Sequence, residues 1–197
     1  RISPESLEKA IEWQNLYGGK VKWNDPVVYG RDWFYDGKDK YGYRLYDGAK
    51  AMIKNWTPTM THNLSVNGKS GKTSYNIGLG YLDQSGMSKT AKKDDFKRYN
   101  ASVSVTSEIN KYITVRASSI YSDRNKRYPG IGNTTADPWL YLYRWSPLMP
   151  MGVTENGNPL KEPTYEMAAA NTDNLQNKYY NINLGFTLNL TKNWDVK

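Results

Sequence analysis

Cysteine is absent from the chain, and histidine occurs once, at His62. Without thiols, neither a disulfide framework nor a thiolate metal site can form. A nucleophile–histidine–acid enzyme would have to be built on His62 alone. No window approaches the 18 consecutive apolar residues of a transmembrane helix. Phenylalanine is scarce as well, three residues against seventeen tyrosines and seven tryptophans. The aromatic content is therefore mostly amphipathic, in a chain of low mean hydropathy, −0.80. High tyrosine and moderate charge argue against a disordered tail. Lys and Arg exceed Asp and Glu by 27 − 19, a formal charge of +8. No nucleic-acid module accompanies that charge, so no nucleic-acid partner is expected.

The 197 residues open at Arg1, have no methionine before Met52, and end at Lys197 after a strand-like run. No charged-then-apolar signal segment is visible. The chain reads as a piece of a longer protein.

Residues 1–58 read as loop with short helical pieces. Ser3 is placed as an N-cap, Pro4 at the first helical position and Glu5 in the first turn. Leu7, Ala10 and Ile11 share one face, and Gly18–Gly19 ends the element. Breakers mixed with aromatics predict irregular backbone over 24–48. A helical turn is expected between Asp47 and Trp56.

From Thr59 the hydrophobic period becomes two. Strands are predicted over 59–69, 73–82, 96–106, 112–122 and 178–191. His62, Leu64 and Val66 share a face of the first. Tyr75, Ile77, Leu79 and Tyr81 share one in the second, Val103 and Val105 in the third, and Ile113, Val115, Ala117 and Tyr121 in the fourth. The last is the cleanest: Tyr180, Ile182, Leu184, Phe186, Leu188 and Leu190 alternate with Asn, Gly and Thr. Arg116 falls on the polar side. Strict alternation marks a two-faced antiparallel sheet.

A soluble sandwich gives the same alternation. Connector length separates the two readings. The connectors cover residues 70–72, 83–95, 107–111 and 123–177, alternately short and long. Outer-membrane barrels alternate short periplasmic turns with long external loops. Reach agrees: ten steps from Tyr180 to Leu190 span roughly 33 Å at about 3.3 Å each. Tilting by about 40° leaves roughly 25 Å, the height of a barrel's apolar band. The fold class expected is all-β, with antiparallel up-and-down strands. Residues 1–58 form an external loop region and 59–122 four barrel strands. Residues 123–177 form a long external loop, and 178–197 a strand with the start of a periplasmic turn. Five strands cannot close around a lumen, so they belong to a larger barrel. The residues expected to face lipid are Tyr75, Ile77, Leu79, Tyr81, Val103, Val105, Tyr180, Ile182, Leu184, Phe186, Leu188 and Leu190.

His62–Gly86 reads HNLSVNGKSGKTSYNIGLGYLDQSG. It is followed by a basic loop, the strand entry Phe96-Lys97-Arg98-Tyr99-Asn100, and the turn Asn110-Lys111-Tyr112. This succession resembles the first barrel hairpins of SusC/RagA-type TonB-linked outer-membrane transporters. The resemblance is specific from about Trp56 to Ser122 and returns at Tyr179–Trp194. It implies a barrel of about 22 strands in the bacterial outer membrane, energised by the TonB complex. It also implies a SusD-like lipoprotein partner and import of glycans, or of oligopeptides in RagA-like members. The plug and the TonB box are not in these residues. A soluble β-rich glycan-binding module is the alternative.

Loop aromatics are the candidate contacts to substrate or lid: Trp33 and Tyr35 early, then Trp139, Tyr141, Tyr143 and Trp145. Exposed aromatic faces stack on sugar rings and suit protein contacts. The later four alternate at period two and would line one face of a loop strand. Packing of the long loop on itself is the competing reading.

The lysines between Ser88 and Arg98 could meet lipopolysaccharide phosphates or form a solvated charge run. Gly68–Thr73 echoes a phosphate loop, but with two residues between glycines instead of four, and between strands. Asp36, Asp39 and Asp47 lack the terminal Glu and regular spacing of a calcium loop, so turn roles are expected. No pair of carboxylates suits a glycosidase. No catalytic residue, metal site or cofactor is therefore expected.

Overall fold

The computed structural model describes residues 3–22, 24–130, 138–191 and 194–196. Contacts divide the chain into two units. One gathers the strands, residues 57–86, 95–127 and 174–197; the other gathers 1–56, 87–94 and 128–173.

The strand unit is a six-stranded antiparallel meander in which sequence neighbours are spatial neighbours. Its strands are β3 (Thr59–Ser70), β4 (Thr73–Ser85), β5 (Asp95–Glu108), β6 (Ile113–Pro129), β7 (Thr172–Thr191) and β8 (Trp194–Val196). The sheet is not closed. β3 and β4 pair from Thr59↔Gln84 to Ser70↔Thr73, leaving a two-residue turn. Gly71 takes φ +58° at its first position, and among the described residues no non-glycine has positive φ. That is the type II′ arrangement, whose twist matches a hairpin. The sequence echo of a phosphate loop is this turn. Between β5 and β6, Asn110 Oδ1 accepts from the N–H groups of Tyr112 (2.8 Å) and Ile113 (3.0 Å). The side chain thus substitutes for a backbone turn.

The five strands expected from alternation are all present, and two run much further than expected. β6 continues from Ser122 to Pro129, and β7 begins at Thr172 instead of Lys178. Their extensions are mostly polar, with Leu175 the one aliphatic residue before Lys178, so no hydrophobic period announces them. Cross-strand polar pairs accompany the ladder there: Arg127 with Asp95, and Gln176 with Asp123.

The other unit is built from short elements. They are α1 (Pro4–Tyr17), the hairpin β1 (Trp33–Tyr35) and β2 (Lys40–Gly42), α2 (Gly48–Met52), α3 (Pro138–Arg144) and α4 (Pro163–Ala169). α1 is capped as expected, Ser3 Oγ accepting from Ser6 N. Of the expected face Ala10 is buried, but Leu7 and Ile11 are exposed, and Trp13 is the large side chain that turns inward. Trp13 is drawn inward by a polar partner, which an apolar stripe does not reveal. Asp47 caps α2, accepting from Lys50 N. A small core collects Val27, Tyr46, Ala51, Met52, Met151 and Met167. Gly42 is forced to be glycine, because a Cβ there would meet Leu148 O at 1.7 Å.

Candidate functional site

Register fixes which strand residues share a face. One row reads His62, Tyr81, Tyr99, Asp123; the next Leu64, Leu79, Ala101, Tyr121; then Val66, Ile77, Val103, Ser119; then Gly68, Tyr75, Val105, Ala117. On β7, Thr187 accepts from Arg116 Nη1 (3.2 Å), so odd residues share the polar face and even ones the apolar face. The expected lipid-facing residues of β4 and β5 therefore lie on one surface, and those of β7 continue it. The side chain of Leu190 lies outside the described residues.

That surface is bare. Leu184 is 80% exposed, Tyr180 64%, Leu64 61% and Leu79 52%. A sandwich would have buried these positions in an inter-sheet core.

The surface has a graded edge. His62, Tyr81 and Tyr99 form an aromatic row, with His62 stacked on Tyr81 at 6.3 Å and Tyr81 against Tyr99 at 5.0 Å. Beyond it, on the same face, come Asp83 with Lys97 (3.3 Å) and Asp95 with Arg127 (2.6 Å). The face thus runs from apolar through aromatic to ion-paired. Tyr75 closes the opposite end, its ring lying over Gly68.

The opposite face carries amides and hydroxyls. Asn76 donates to Asn67, Ser122 Oγ to Asn100 Oδ1 (2.8 Å), and Asn183 to Asn181 (2.6 Å). Arg116 is on it, as expected.

In the loop unit, the aromatics of 138–145 are not on a strand. Trp139, Tyr141 and Tyr143 lie on α3 and Trp145 directly follows it, its N–H bonded to Tyr141 O; Tyr141 and Trp145, four residues apart, meet edge to face at 5.8 Å. Period two was misleading because an i,i+4 pair also matches it. Tyr141, Leu142, Trp145 and Trp33 pack on the small core. Tyr143 points away and is 73% exposed. The side chain of Trp139 lies outside the described residues. Tyr35 is exposed, its hydroxyl donating to Gly37 O (2.7 Å). Two aromatics that the sequence did not single out join this region. Tyr29 meets Trp33 at 5.1 Å and Phe34 at 6.1 Å, and both Tyr29 and Phe34 are exposed. An open recess of about 490 Å³ is lined by Leu45, Tyr46, Leu142, Trp145 and Pro147 among others.

A buried charge cluster was also not anticipated. Asp32 is fully buried and Arg44 is 2% exposed. Asp32 Oδ1 accepts from Trp13 Nε1 (3.2 Å) and Arg31 Nε (2.9 Å); Oδ2 accepts from Val28 N (2.9 Å) and Arg31 Nη2 (2.6 Å). Arg44 Nη1 is 3.5 Å from Oδ2 and donates to Asp25 O (3.0 Å), while Nη2 donates to Lys22 O (2.6 Å). Burial pushes the Asp32 carboxyl up. The Arg31 hydrogen bonds, the Val28 N–H and the charges of Arg31 and Arg44 outweigh it and hold the carboxyl below its ordinary value. Saturated by its own chain, this cluster ties α1 to the turns before β1 and after β2 and is structural.

The acidic residues considered for calcium serve turns. Asp36 Oδ1 accepts from Lys38 N and Asp39 N, bonds that lower its pKa. Among the described residues no group of acids or histidine could hold a metal ion. The basic run is partly used internally: Lys89 donates to Lys50 O and Lys92 to Ala169 O. Among the described residues no helix is long and apolar enough to cross a membrane, which says nothing of strands. No protein-family model matches the chain, and comparison with the curated proteins and with the solved structures finds no match.

Proposed function

We propose that the six-stranded sheet is a section of the wall of a large transmembrane β-barrel in the bacterial outer membrane. The barrel belongs to an importer of the SusC/RagA type, driven by the TonB complex and working with a SusD-like surface lipoprotein. Glycans are its cargo, and the loop unit faces the exterior. The observation that carries this reading is the bare apolar face, bordered by an aromatic row and then by ion pairs. A sheet with two unpaired edges and one exposed greasy face is an aggregation hazard in water. Inside a barrel wall the edges are paired by further strands, and lipid covers the face. The amide- and hydroxyl-rich opposite face suits a wet lumen. The resemblance of His62–Gly86 supports the choice of family, and the loop aromatics offer surfaces for sugar or lid.

The test is Leu184→Arg against Asn183→Arg in the full-length protein, scored by folding into lipid vesicles. At mid-bilayer, arginine on the lipid face costs about 2–4 kcal/mol, whereas lumen positions tolerate charge. Leu184→Arg should cut the folded fraction and Asn183→Arg should not. Equal tolerance of both, with folding in plain buffer, would favour a soluble binding module.

A further inference from the structure

The two faces of the sheet handle charge differently. On the apolar face the described charges at the loop end are paired: Lys97 with Asp83, Arg127 with Asp95. On the polar face stand Lys69, Arg98, Arg116 and Arg124, with the carboxylates Glu108, at the other end of β5 from Arg98, and Asp173, near the start of β7. Arg98 and Arg124 are directly opposite each other in the β5–β6 ladder. Like charges in that relation repel and destabilise a sheet. Neither arginine has an ion pair or hydrogen-bonding side-chain partner among the described residues, and Arg98 Nε is buried without an acceptor. On its other side Arg98 faces Leu82, an apolar neighbour that weakens solvent screening.

We infer that Arg98 and Arg124 form a carboxylate-binding clamp on the polar face, and that the ligand is a uronic-acid-containing oligosaccharide. This rests on the barrel reading, which turns that face toward the transport path. Guanidinium groups match a carboxylate with two parallel hydrogen bonds, and two guanidiniums converging on one anion relieve their mutual repulsion. The surroundings favour sugar over peptide. Asn63, Asn100 and Ser122 fill the row next to the pair and offer donors and acceptors for hydroxyls. Tyr179, on the same face of β7 and 54% exposed, offers a ring for stacking.

The experiment titrates the full-length protein in detergent with trigalacturonic acid and with its methyl ester, the same sugar without charge. The acid should bind at least about tenfold more tightly, since a charge-assisted hydrogen bond contributes that much or more. Arg98→Gln/Arg124→Gln should abolish the preference and leave the ester unaffected, and Arg98→Lys/Arg124→Lys should restore part of it. Equal binding of acid and ester, no binding of the acid, or tighter binding of triglutamate would each overturn the clamp. So would a double Gln variant that loses thermal stability but keeps the preference, because the arginines would then serve the protein's own acids. Quenching of a label at position 184 by lipid reports separately on the wall. Lipid contact there with no acid preference removes the clamp alone, and aqueous contact removes the barrel on which it rests.

Discussion

Replacing Asp32 by Asn tests how the loop unit is held. The carboxylate is fully buried and receives four hydrogen bonds, two of them from Arg31. Asparagine preserves shape but presents one acceptor oxygen where two stood. Arg44 keeps its bonds to Lys22 O and Asp25 O but loses the buried carboxylate 3.5 Å from its Nη1. Removing one partner of a buried pair costs about 3–5 kcal/mol. The core of this unit is small, so such a loss is enough to open it. Trp13 donates its indole N–H to Asp32, and its fluorescence should report the change during thermal unfolding in detergent. The pH dependence has a definite sign. Asp32 is held below its ordinary value, so its contribution is complete above about pH 4 and is lost as pH falls through the lowered value. The gap between wild type and Asp32→Asn should therefore be widest at neutral pH and close in acid. An Asn variant within about 0.5 kcal/mol of wild type at pH 7, the range of ordinary surface substitutions, would refute the assignment.

Three further outcomes are expected. Gly42→Ala drives a methyl group into Leu148 O and should destabilise the loop unit by about 1–3 kcal/mol, visible as earlier proteolysis between α3 and α4. Glu162 is buried and caps α4, accepting from Thr164 N (2.8 Å) and Tyr165 N (3.1 Å); Glu162→Ala should cost about 1–2 kcal/mol in the same assay. Trp139→Ala/Trp145→Ala should lower glycan uptake. Unchanged uptake and affinity would confine Trp145 to the packing against Tyr141 that it already shows.

The strand cores were legible because each residue's side of the sheet is written in alternation, as in Tyr180 to Leu190. The ends of β6 and β7 were not, since Asp123–Arg127 is polar throughout, Thr172–Asn177 carries only Leu175 as an apolar residue, and both are joined by partners far away in sequence. Caps at Ser3 and Asp47 were readable because their chemistry is local. The Asp32 cluster was not, because its partners Trp13 and Arg44 lie 19 and 12 residues distant and nothing in the spacing links them. For α3, Tyr141 and Trp145 satisfy the helical and the extended period together, and the core contact decides.

The central claim is that the greasy side of this sheet meets hydrocarbon. These 197 residues contain no cysteine, so a fluorophore can be placed at Leu184→Cys and, in a second protein, at Asn183→Cys, on a background from which any cysteine elsewhere in the full-length protein has been removed. In reconstituted vesicles, spin-labelled lipid should quench the probe at 184 and leave that at 183 bright, with aqueous iodide doing the reverse. Iodide quenching at 184 with no effect of the labelled lipid would contradict the account.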